Sequence, residues 1–347
     1  MILSARAVRR SVAASAFAAT LAFSPLLSAI AQAITLNGAG ATFPAPLYQR
    51  YFNDFRRDSN ITVNYQAVGS GAGIRQVIAG TVEFGGSDAA MTDAQIEQVG
   101  DRGVILVPTA GGAVTMTYNL PGVSTLRLSR AVFPAIFSGQ ITRWNDSRIA
   151  ADNPGVTLPD LPIKPVVRAD SSGTTFIFVN HLSAINPYFR GRVGVSTAPN
   201  WTVGQLKGRG NAGVAAQVQR TEGAIGYVEL SYATQNNMKM AQVQNKKNEF
   251  ITPSLEETEK ALETLSFPDN FRVFVDDPEE GYPIAGLTWI MVYKKYPTAE
   301  EANAVKTMVE WILTKGQELN NSLNYTRIPN AVAQRALQTV QREVTGP

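Results

Sequence analysis

Residues 61–78, ITVNYQAVGSGAGIRQVI, contain the pattern from which the fold is predicted. Ile61–Val68 alternates in polarity and includes β-branched residues, which is typical of a strand. The glycine-rich loop Gly69–Gly73 follows it, and apolar residues then recur at helical spacing from Ile74 to Ile78. Repeated strand–loop–helix units of this kind indicate an α/β fold with largely parallel sheets.

The same alternation continues along the chain from residue 34 onwards. Further strands are expected at Thr81–Gly85, Val104–Pro108, Ala113–Asn119, Ile163–Ala169 and Ala224–Glu229. Helices are expected at Pro44–Phe55, Thr174–Ile185, Val214–Gln219, Glu256–Leu265 and Ala299–Lys315. The chain has 347 residues, of which 44% are hydrophobic, so it is long and apolar enough for two domains with separate cores.

Residues 1–33 have the features of a secretory signal peptide. Three arginines precede the apolar stretch Val12–Phe23, and an Ala-x-Ala pattern ends at Ala33, so we expect cleavage near Ala33 and export to the periplasm. A membrane-anchoring helix is the less favoured alternative, because the apolar run is shorter than the roughly 20 residues that span a bilayer. The chain has no Cys, so no lipid anchor on an N-terminal Cys is expected.

The charge and the reactive residues exclude several classes of function. The formal net charge of +3 corresponds to Arg6, Arg9 and Arg10, and without residues 1–33 the 31 basic residues fall to 28, equal to the 28 acidic ones. The basic pI therefore gives no reason to expect a nucleic-acid partner. With no Cys and a single His, cysteine nucleophiles, thiolate zinc sites and His-rich metal sites are excluded, and no metal or cofactor is expected.

Three loops between a strand and a helix are suited to an oxyanion. In the first, Thr42 is expected to cap a helix whose free N–H groups face the anion. In the second, Ser70 either caps a helix or donates its hydroxyl outward. In the third, Arg168 lies beside Ser171 and Ser172, and we expect Asp170 to orient its guanidinium. Each loop taken alone is also compatible with an ordinary capped helix.

A carboxylate at Asp88 makes the set of loops unusual. Asp88 ends a predicted strand and is expected to face the same cleft. A carboxylate repels an anion unless the anion brings a proton to donate, which phosphate does at neutral pH and sulfate does not. Asp88 would then discriminate between the two by about several hundredfold. The alternative is that Asp88 caps a helix over residues 89–96.

Together these residues carry a family resemblance. The chain resembles the periplasmic phosphate-binding proteins of the high-affinity phosphate ABC transporter over essentially all of its length after residue 33. The motifs that match are Thr42–Pro46, Gly69–Gly71, Phe84–Asp88, Ile136–Asp146, Arg168–Thr174 and Gly223–Glu229.

The resemblance implies both a ligand set and an architecture. Phosphate would be held by Thr42, Ser70, Arg168, Ser172, Thr174 and the backbone N–H groups of Phe43 and Gly173, with Asp88 as acceptor and Asp170 behind Arg168. The fold would be a two-lobed, type II periplasmic-binding-protein fold with a hinge and an interlobe cleft. Lobe I would comprise residues 34–110 and 284–347, and lobe II residues 111–283.

The function expected from these features is capture of inorganic phosphate and its delivery to the permease subunits of an ABC transporter, by a monomer that catalyses no reaction. The alternatives are an enzyme that processes phosphoesters and a binder of another oxyanion such as sulfate. The enzyme is disfavoured because no nucleophile–base pair is found, and His181 is expected to have a packing or capping role. Gly208–Gly213 formally matches Gly-x-Gly-x-x-Gly but is predicted to be a turn that opens a helix rather than a dinucleotide site.

Overall fold

The computed structural model describes residues 34–201 and 204–347, so the predicted signal segment lies outside the described residues. Within these ranges the fold is α/β, as predicted. The strands are β1 (Thr35–Gly40), β2 (Thr62–Ala67), β3 (Phe84–Ser87), β4 (Val104–Asn119), β5 (Arg127–Leu128), β6 (Lys164–Arg168), β7 (Leu206–Gly208), β8 (Ala224–Glu229), β9 (Lys239–Met240), β10 (Gln242–Gln244), β11 (Phe250–Ile251) and β12 (Ala285–Tyr293).

The helices alternate with these strands. They are α1 (Ala45–Asp58), α2 (Ser70–Ala79), α3 (Asp93–Gln98), α4 (Val132–Phe137), α5 (Ser147–Asp152), α6 (Gly173–Ile185), α7 (Pro187–Arg192), α8 (Gly210–Arg220), α9 (Leu230–Gln235), α10 (Leu255–Leu262), α11 (Ala299–Leu313) and α12 (Asn330–Glu343). Short 3₁₀ turns occur at Gly100–Arg102, Lys315–Leu319 and Asn321–Leu323.

Most strands belong to one large mixed sheet. Its order is β2-β1-β3-β12-β4-β8-β6-β7, with β9 also paired to β4, and a small separate sheet has the order β11-β10-β5. The outer strands pair in parallel, β1 with β2 and β3, and β6 with β7 and β8. The central pairs β3–β12, β12–β4 and β4–β8 are antiparallel. The prediction of largely parallel sheets is therefore wrong for the centre of this sheet.

Strand β4 joins the two ends of the sheet. Its first part, Val104–Ala113, pairs with β12, and its second part, Val114–Asn119, pairs with β8. The predicted lobe boundary at 110/111 falls inside β4, and the one at 283/284 falls just before β12. The division into lobes stays a prediction.

The sequence predicted two strands where β4 is one strand of 16 residues. Proline and glycine are local signals of a break in a strand, but a one-residue shift in the pairing with β12 occurs next to Pro108, which lacks an N–H, and the strand continues. Gly111 and Gly112 are also paired with β12, and their lack of a side chain leaves room for neighbouring side chains: a Cβ at Gly112 would lie 2.7 Å from Cζ of Phe43.

Helix α1 shows how the predicted periodicity becomes a core. Its five apolar residues at helical spacing are all buried. Tyr48 and Phe52 pack edge-on or tilted against Tyr65 of β2, and Phe52 also contacts Phe84 of β3. This aromatic cluster fixes α1 against the parallel strands and thereby fixes the loop that precedes the helix.

Gly38 in β1 provides a test of this packing. A Cβ at Gly38 would lie 2.1 Å from Cζ of Phe84, whose ring is buried and stacked against Tyr65. We expect Gly38→Ala to lower the free energy of unfolding by about 1–3 kcal/mol, the usual cost of overpacking. Urea unfolding measures this change.

Gly191→Ala is the matched control, because a Cβ at Gly191 meets no atom within 4 Å. Its free energy of unfolding should stay unchanged or rise by up to about 1 kcal/mol, because Gly191 lies in helix α7, where Ala is favoured over Gly. Equal stability of the two variants would show that Phe84 does not constrain β1.

Candidate functional site: a buried cluster of donors at the ends of three strands

The predicted site residues lie where strands β1, β3 and β6 end. The parallel neighbours β1 and β3 bring the loops at their carboxyl ends together, as in other open α/β sheets, whereas β6 lies beyond β12, β4 and β8 in the sheet order. Here these loops contribute Thr42, Asp88 and Arg168, and the first turns of α2 and α6 contribute the remaining polar groups. All the predicted ligand residues are buried, and Thr42 is 6% exposed.

Arg168 is held by Asp170 in a two-point contact. The distances are 2.9 Å from Nε to Oδ1 and 2.5 Å from Nη2 to Oδ2, and Nη1 lies 3.2 Å from Oγ1 of Thr174. Asp170 also accepts a hydrogen bond from the backbone N–H of Gly210 at 2.9 Å. Burial alone would raise the pKa of Asp170, but the hydrogen bonds and charge of Arg168, together with backbone N–H groups including that of Gly210, leave the pKa below its ordinary value. Asp170 therefore stays ionised and fixes the plane of the guanidinium.

Asp88 is a buried carboxyl group surrounded by hydroxyls. Its Oδ1 accepts a hydrogen bond from Oγ1 of Thr288 at 2.9 Å, and its Oδ2 lies 3.4 Å from Oγ of Ser70. Burial raises the pKa of Asp88 from 3.8 to about 7, although Thr288, Arg168 and Ser70 each act to lower it. The group therefore changes its charge near neutral pH.

The alternative of Asp88 as a helix cap is wrong. Residues 89–92 are not helical, and the next helix, α3, begins at Asp93. Thr92 caps it, with its Oγ1 accepting from the N–H of Gln95 while the Gln95 side chain accepts from the N–H of Thr92. The Asp88 side chain instead faces Ser70 and Thr288.

Ser70 and Gly173 bring two loops into contact. Oγ of Ser70 accepts from the backbone N–H of Gly173 at 3.0 Å and from that of Asp88 at 3.2 Å, which leaves its own proton to donate either to Oδ2 of Asp88, 3.4 Å away, or to a ligand. A Cβ at Gly173 would lie 2.5 Å from Oγ of Ser70 and 2.6 Å from Cβ of Asp88, so only glycine fits there. Gly69, and not Ser70, is the cap residue of α2.

Ser172 caps α6. Its Oγ accepts a hydrogen bond from the backbone N–H of Thr175 at 3.1 Å. Because a hydroxyl that accepts in this way keeps its proton, Ser172 still has a donor to offer. Thr174, one residue into the helix, contacts Arg168 as described.

Thr42 does not cap α1, contrary to the prediction. The cap position is Pro44, which has no side-chain acceptor, and the backbone N–H of Tyr48 bonds to the carbonyl of Pro44. Thr42 contacts the first turn through its carbonyl, which accepts from the N–H of Ala45 at 3.2 Å, while its Oγ1 accepts from the backbone and side-chain N–H groups of Asn211, at 3.2 and 2.9 Å. Helix α1 therefore begins without a hydroxyl cap.

The backbone around Phe43 is fixed from outside the loop. The hydroxyl of Tyr232 donates to the carbonyl of Thr42, and that of Tyr325 lies 2.7 Å from the carbonyl of Phe43. Among the hydrogen bonds of residues 34–201 and 204–347, none comes from the backbone N–H of Phe43. This buried donor is therefore available for a ligand.

Glu229 lies next to this loop and was missed in the sequence. It is fully buried, and its Oε2 accepts from the backbone N–H of Ser231 at 3.0 Å and from Tyr325 at 2.8 Å. Burial raises the pKa of Glu229 to about 8, so the group is mostly neutral at pH 7. Thr288 and Asn211 were missed as well. Only Asn211 had a signal, its place in the glycine-rich segment 208–213.

His181 has no part in the site. It is buried, stacked on Phe133, and its Nδ1 lies 2.8 Å from the carbonyl of Asp276. Burial lowers the pKa of His181 to about 4, so the ring is neutral at pH 7. The expected packing role is confirmed. The part of the chain that the structure describes contains no cluster of three His, Asp or Glu that could hold a metal ion.

Comparisons with known proteins agree on one family. A model described as the PBP superfamily domain matches residues 27–315. A protein of Xylella fastidiosa (strain 9a5c) named phosphate-binding protein PstS is 36% identical over 304 residues, covering 86% of this chain and 82% of the relative. A protein of the same name from Pasteurella multocida (strain Pm70) is 35% identical over 319 residues, with 90% and 92% covered.

Solved structures agree with the fold. One is a high-affinity periplasmic phosphate-binding protein bound with phosphate, with a TM-score of 0.76 at 21% identity, covering 88% of this chain and 94% of the other. Another is a phosphate-binding protein from Stenotrophomonas maltophilia, with a TM-score of 0.72 at 20% identity and 88% and 93% covered. These similarities support the type II periplasmic-binding-protein fold.

Asp88 should make stability depend on pH. Because its pKa in the folded chain is raised to about 7, the buried charge costs stability at pH 8, and proton uptake below pH 7 removes that cost. In buffer without added anions, Asp88→Asn should be more stable than the unmodified chain by about 2 kcal/mol at pH 8, and the gap should shrink toward pH 5. Urea unfolding across this pH range measures it.

Asp101→Asn serves as the control, because Asp101 is exposed. Its effect should be within about 0.5 kcal/mol at every pH. A gap for Asp88→Asn that does not change with pH would contradict the raised pKa.

Proposed function

The chain belongs to the phosphate-binding proteins named PstS within the PBP superfamily, and on this premise we propose that it captures inorganic phosphate and delivers it to an ABC-type import permease. The ligand-binding set that we propose comprises Thr42, Phe43, Ser70, Asp88, Arg168, Ser172, Gly173 and Thr174, with Asp170 positioning Arg168. The relatives are substrate-binding proteins, and we propose likewise that this chain performs no reaction.

The observation that carries the proposal is the buried carboxyl group of Asp88 inside a cluster of hydrogen-bond donors. Arg168, the hydroxyls and the free N–H of Phe43 suit any tetrahedral oxyanion. Asp88 narrows the choice. Its carboxylate is only 1% exposed, so water cannot hydrate it as it would at the surface, and it needs hydrogen-bond donors from its surroundings. An anion that retains a proton can supply that donor. Phosphate does so at neutral pH, and sulfate does not.

Proton sharing strengthens this selection. With its pKa raised to about 7, Asp88 gains or loses a proton in the pH range in which phosphate does the same. An ionised Asp88 with the phosphate monoanion and a neutral Asp88 with the phosphate dianion differ only in the position of one proton. A single proton shared between the carboxyl group and a phosphate oxygen therefore allows either form of phosphate to bind. For sulfate the same carboxylate stays an unpaired, buried negative charge, which costs about 3–5 kcal/mol.

We propose that two lobes close over the ligand. Several contacts join residues of the proposed lobe I to residues of the proposed lobe II: Ser70 to Gly173, Thr42 to Asn211, and Tyr325 to Glu229. A ligand among these buried residues is shielded from water, so binding and release require these contacts to separate. The closed form is then what a permease would recognise.

The cellular setting is part of the proposal. Residues 1–33 are proposed to be a signal peptide that is cleaved near Ala33, which places the remainder in the periplasm as a monomer without a lipid anchor. None of the helices in the described ranges is long and apolar enough to cross a bilayer. The proposed partners are inorganic phosphate and the transmembrane permease subunits, and no nucleic acid.

Calorimetric titration of the chain from residue 34 onwards with phosphate and with sulfate tests the function. At pH 8, where Asp88 is ionised, we expect phosphate to bind with a Kd of about micromolar or tighter and sulfate to give no measurable heat, because of the cost of the unpaired Asp88. Comparable heat from sulfate would overturn the role of Asp88. Release of phosphate from a generic phosphoester above a buffer blank would favour the phosphoester enzyme instead.

Asp88→Asn tests the basis of selectivity. The amide carries no charge and has a donor, so the preference for phosphate over sulfate should narrow by at least about tenfold. In the unmodified chain, sulfate should compete better at pH 6 than at pH 8, because Asp88 is protonated below its pKa of about 7. The variant should lose this pH dependence. An unchanged preference in competition titrations would place selectivity elsewhere.

A further inference from the structure

The glycine-rich turn at 208–213 lies against the site. The motif does follow a strand, β7, but that strand has only three residues, and helix α8 begins at Gly210. Gly210 has a φ of +66°, and its N–H bonds to Asp170. The turn places the next residue, Asn211, between two loops of the proposed site, with its side chain fully buried.

The side-chain amide of Asn211 contacts both threonines of that site. Its Nδ2 donates to Oγ1 of Thr42 at 2.9 Å and to Oγ1 of Thr174 at 3.1 Å. Its Oδ1 accepts from the backbone N–H of Glu229 at 2.9 Å. Since Oδ1 already faces an N–H donor, the amide cannot be reversed without placing donor against donor. The direction of both threonine contacts is therefore fixed.

A count of lone pairs shows the consequence for the hydroxyls. A hydroxyl oxygen has two lone pairs and one proton. Oγ1 of Thr42 accepts from two N–H groups of Asn211, its backbone and its side chain. Oγ1 of Thr174 accepts from Nη1 of Arg168 and from Asn211. With both lone pairs used, each hydroxyl is left only with a proton to donate.

We propose that Asn211 is a positioning residue that forces the hydroxyls of Thr42 and Thr174 to act as donors to the bound anion. The inference rests on the proposed function and adds to it a residue that touches no ligand. Most oxygens of the anion can only accept hydrogen bonds, so a hydroxyl must point its proton at them. A hydroxyl that rotates freely beforehand loses this rotational freedom when the anion binds, which costs entropy. Asn211 removes that freedom before the ligand arrives. It also joins a residue of each proposed lobe, because Thr42 and Thr174 lie on opposite sides of the cleft.

A double-mutant cycle tests this role. Asn211→Leu removes the two side-chain contacts from Nδ2 to the threonines with little change in volume. Thr174→Val removes one of the two hydroxyls on which Asn211 acts. In the unmodified chain, Asn211→Leu should weaken phosphate binding by about tenfold or more. In the Thr174→Val background the same change should cost at least about threefold less, because one of its two targets is gone.

Asn211→Asp provides a second, isosteric variant in case Leu does not fold. An oxygen in place of Nδ2 can only accept, so it draws the threonine protons away from the ligand, and phosphate affinity should fall by about a hundredfold. The same Thr174→Val background separates this effect from charge repulsion. Repulsion by the new carboxylate would be equally large with or without the hydroxyl.

Asn153→Leu is the matched control. Asn153 is likewise buried, and its amide bridges backbone groups of Arg127 and Ile149 rather than site residues. It should lose stability in urea unfolding while keeping phosphate affinity within about twofold. This result would show that loss of a buried amide alone does not weaken binding.

The outcomes separate the two proposals. Absence of phosphate binding by the unmodified chain would overturn the proposed function, and the inference with it. Binding by the unmodified chain, with equal losses for each Asn211 variant in both backgrounds, would overturn the role of Asn211 alone. Unchanged affinity in both Asn211 variants would do the same.

Discussion

The arrangement of the site depends on one constraint: a carboxyl group, Asp88, is buried next to a place for an anion. Two negative groups in a region without water are tolerable only if every lone pair has a donor and one proton is shared. Thr288 and Ser70 supply donors to Asp88, and Gly173 must lack a side chain so that Ser70 can approach. Arg168 brings a permanent positive charge, held in its plane by Asp170. The loops therefore supply hydrogen-bond donors and positive charge to the carboxylate of Asp88 as well as to the ligand.

Much of the fold was predictable because it follows from local periodicity. The apolar face of α1 and the strand β8 lie where the pattern placed them, since hydrophobic spacing reports burial directly. The continuity of β4 was not predictable. Pro108 and Gly111 are local signals of a break, and what overrides them is the pairing with β12, almost 180 residues later in the chain.

The site, like the fold, has features that could be predicted from the sequence and features that depend on contacts between distant residues. The convergence of Thr42 and Asp88 could be predicted, because loops at the carboxyl ends of the neighbouring parallel strands β1 and β3 meet. Arg168 follows β6, which is separated from β3 by β12, β4 and β8, and its place beside them was expected only from the family resemblance. The partners that orient these residues could not be predicted from the sequence. Thr288 is a single polar residue within a buried strand, and its contact with Asp88 spans 200 positions in sequence. Asn211 was hidden by a glycine motif whose familiar meaning, a dinucleotide site, does not apply here. The prediction of Thr42 as a cap failed because a cap is a local interpretation of a residue whose partner is 169 positions away.

The position of β12 has a consequence for when the chain can fold. This strand is among the last in the sequence, yet it lies between β3 and β4 in the sheet. The interior of the sheet is therefore incomplete until residue 293 has been synthesised, and pairing it with β4 closes a long loop, a feature of slowly folding proteins. A growing chain cannot lock into its final form early. The export that we propose would therefore meet a chain whose sheet is not yet complete.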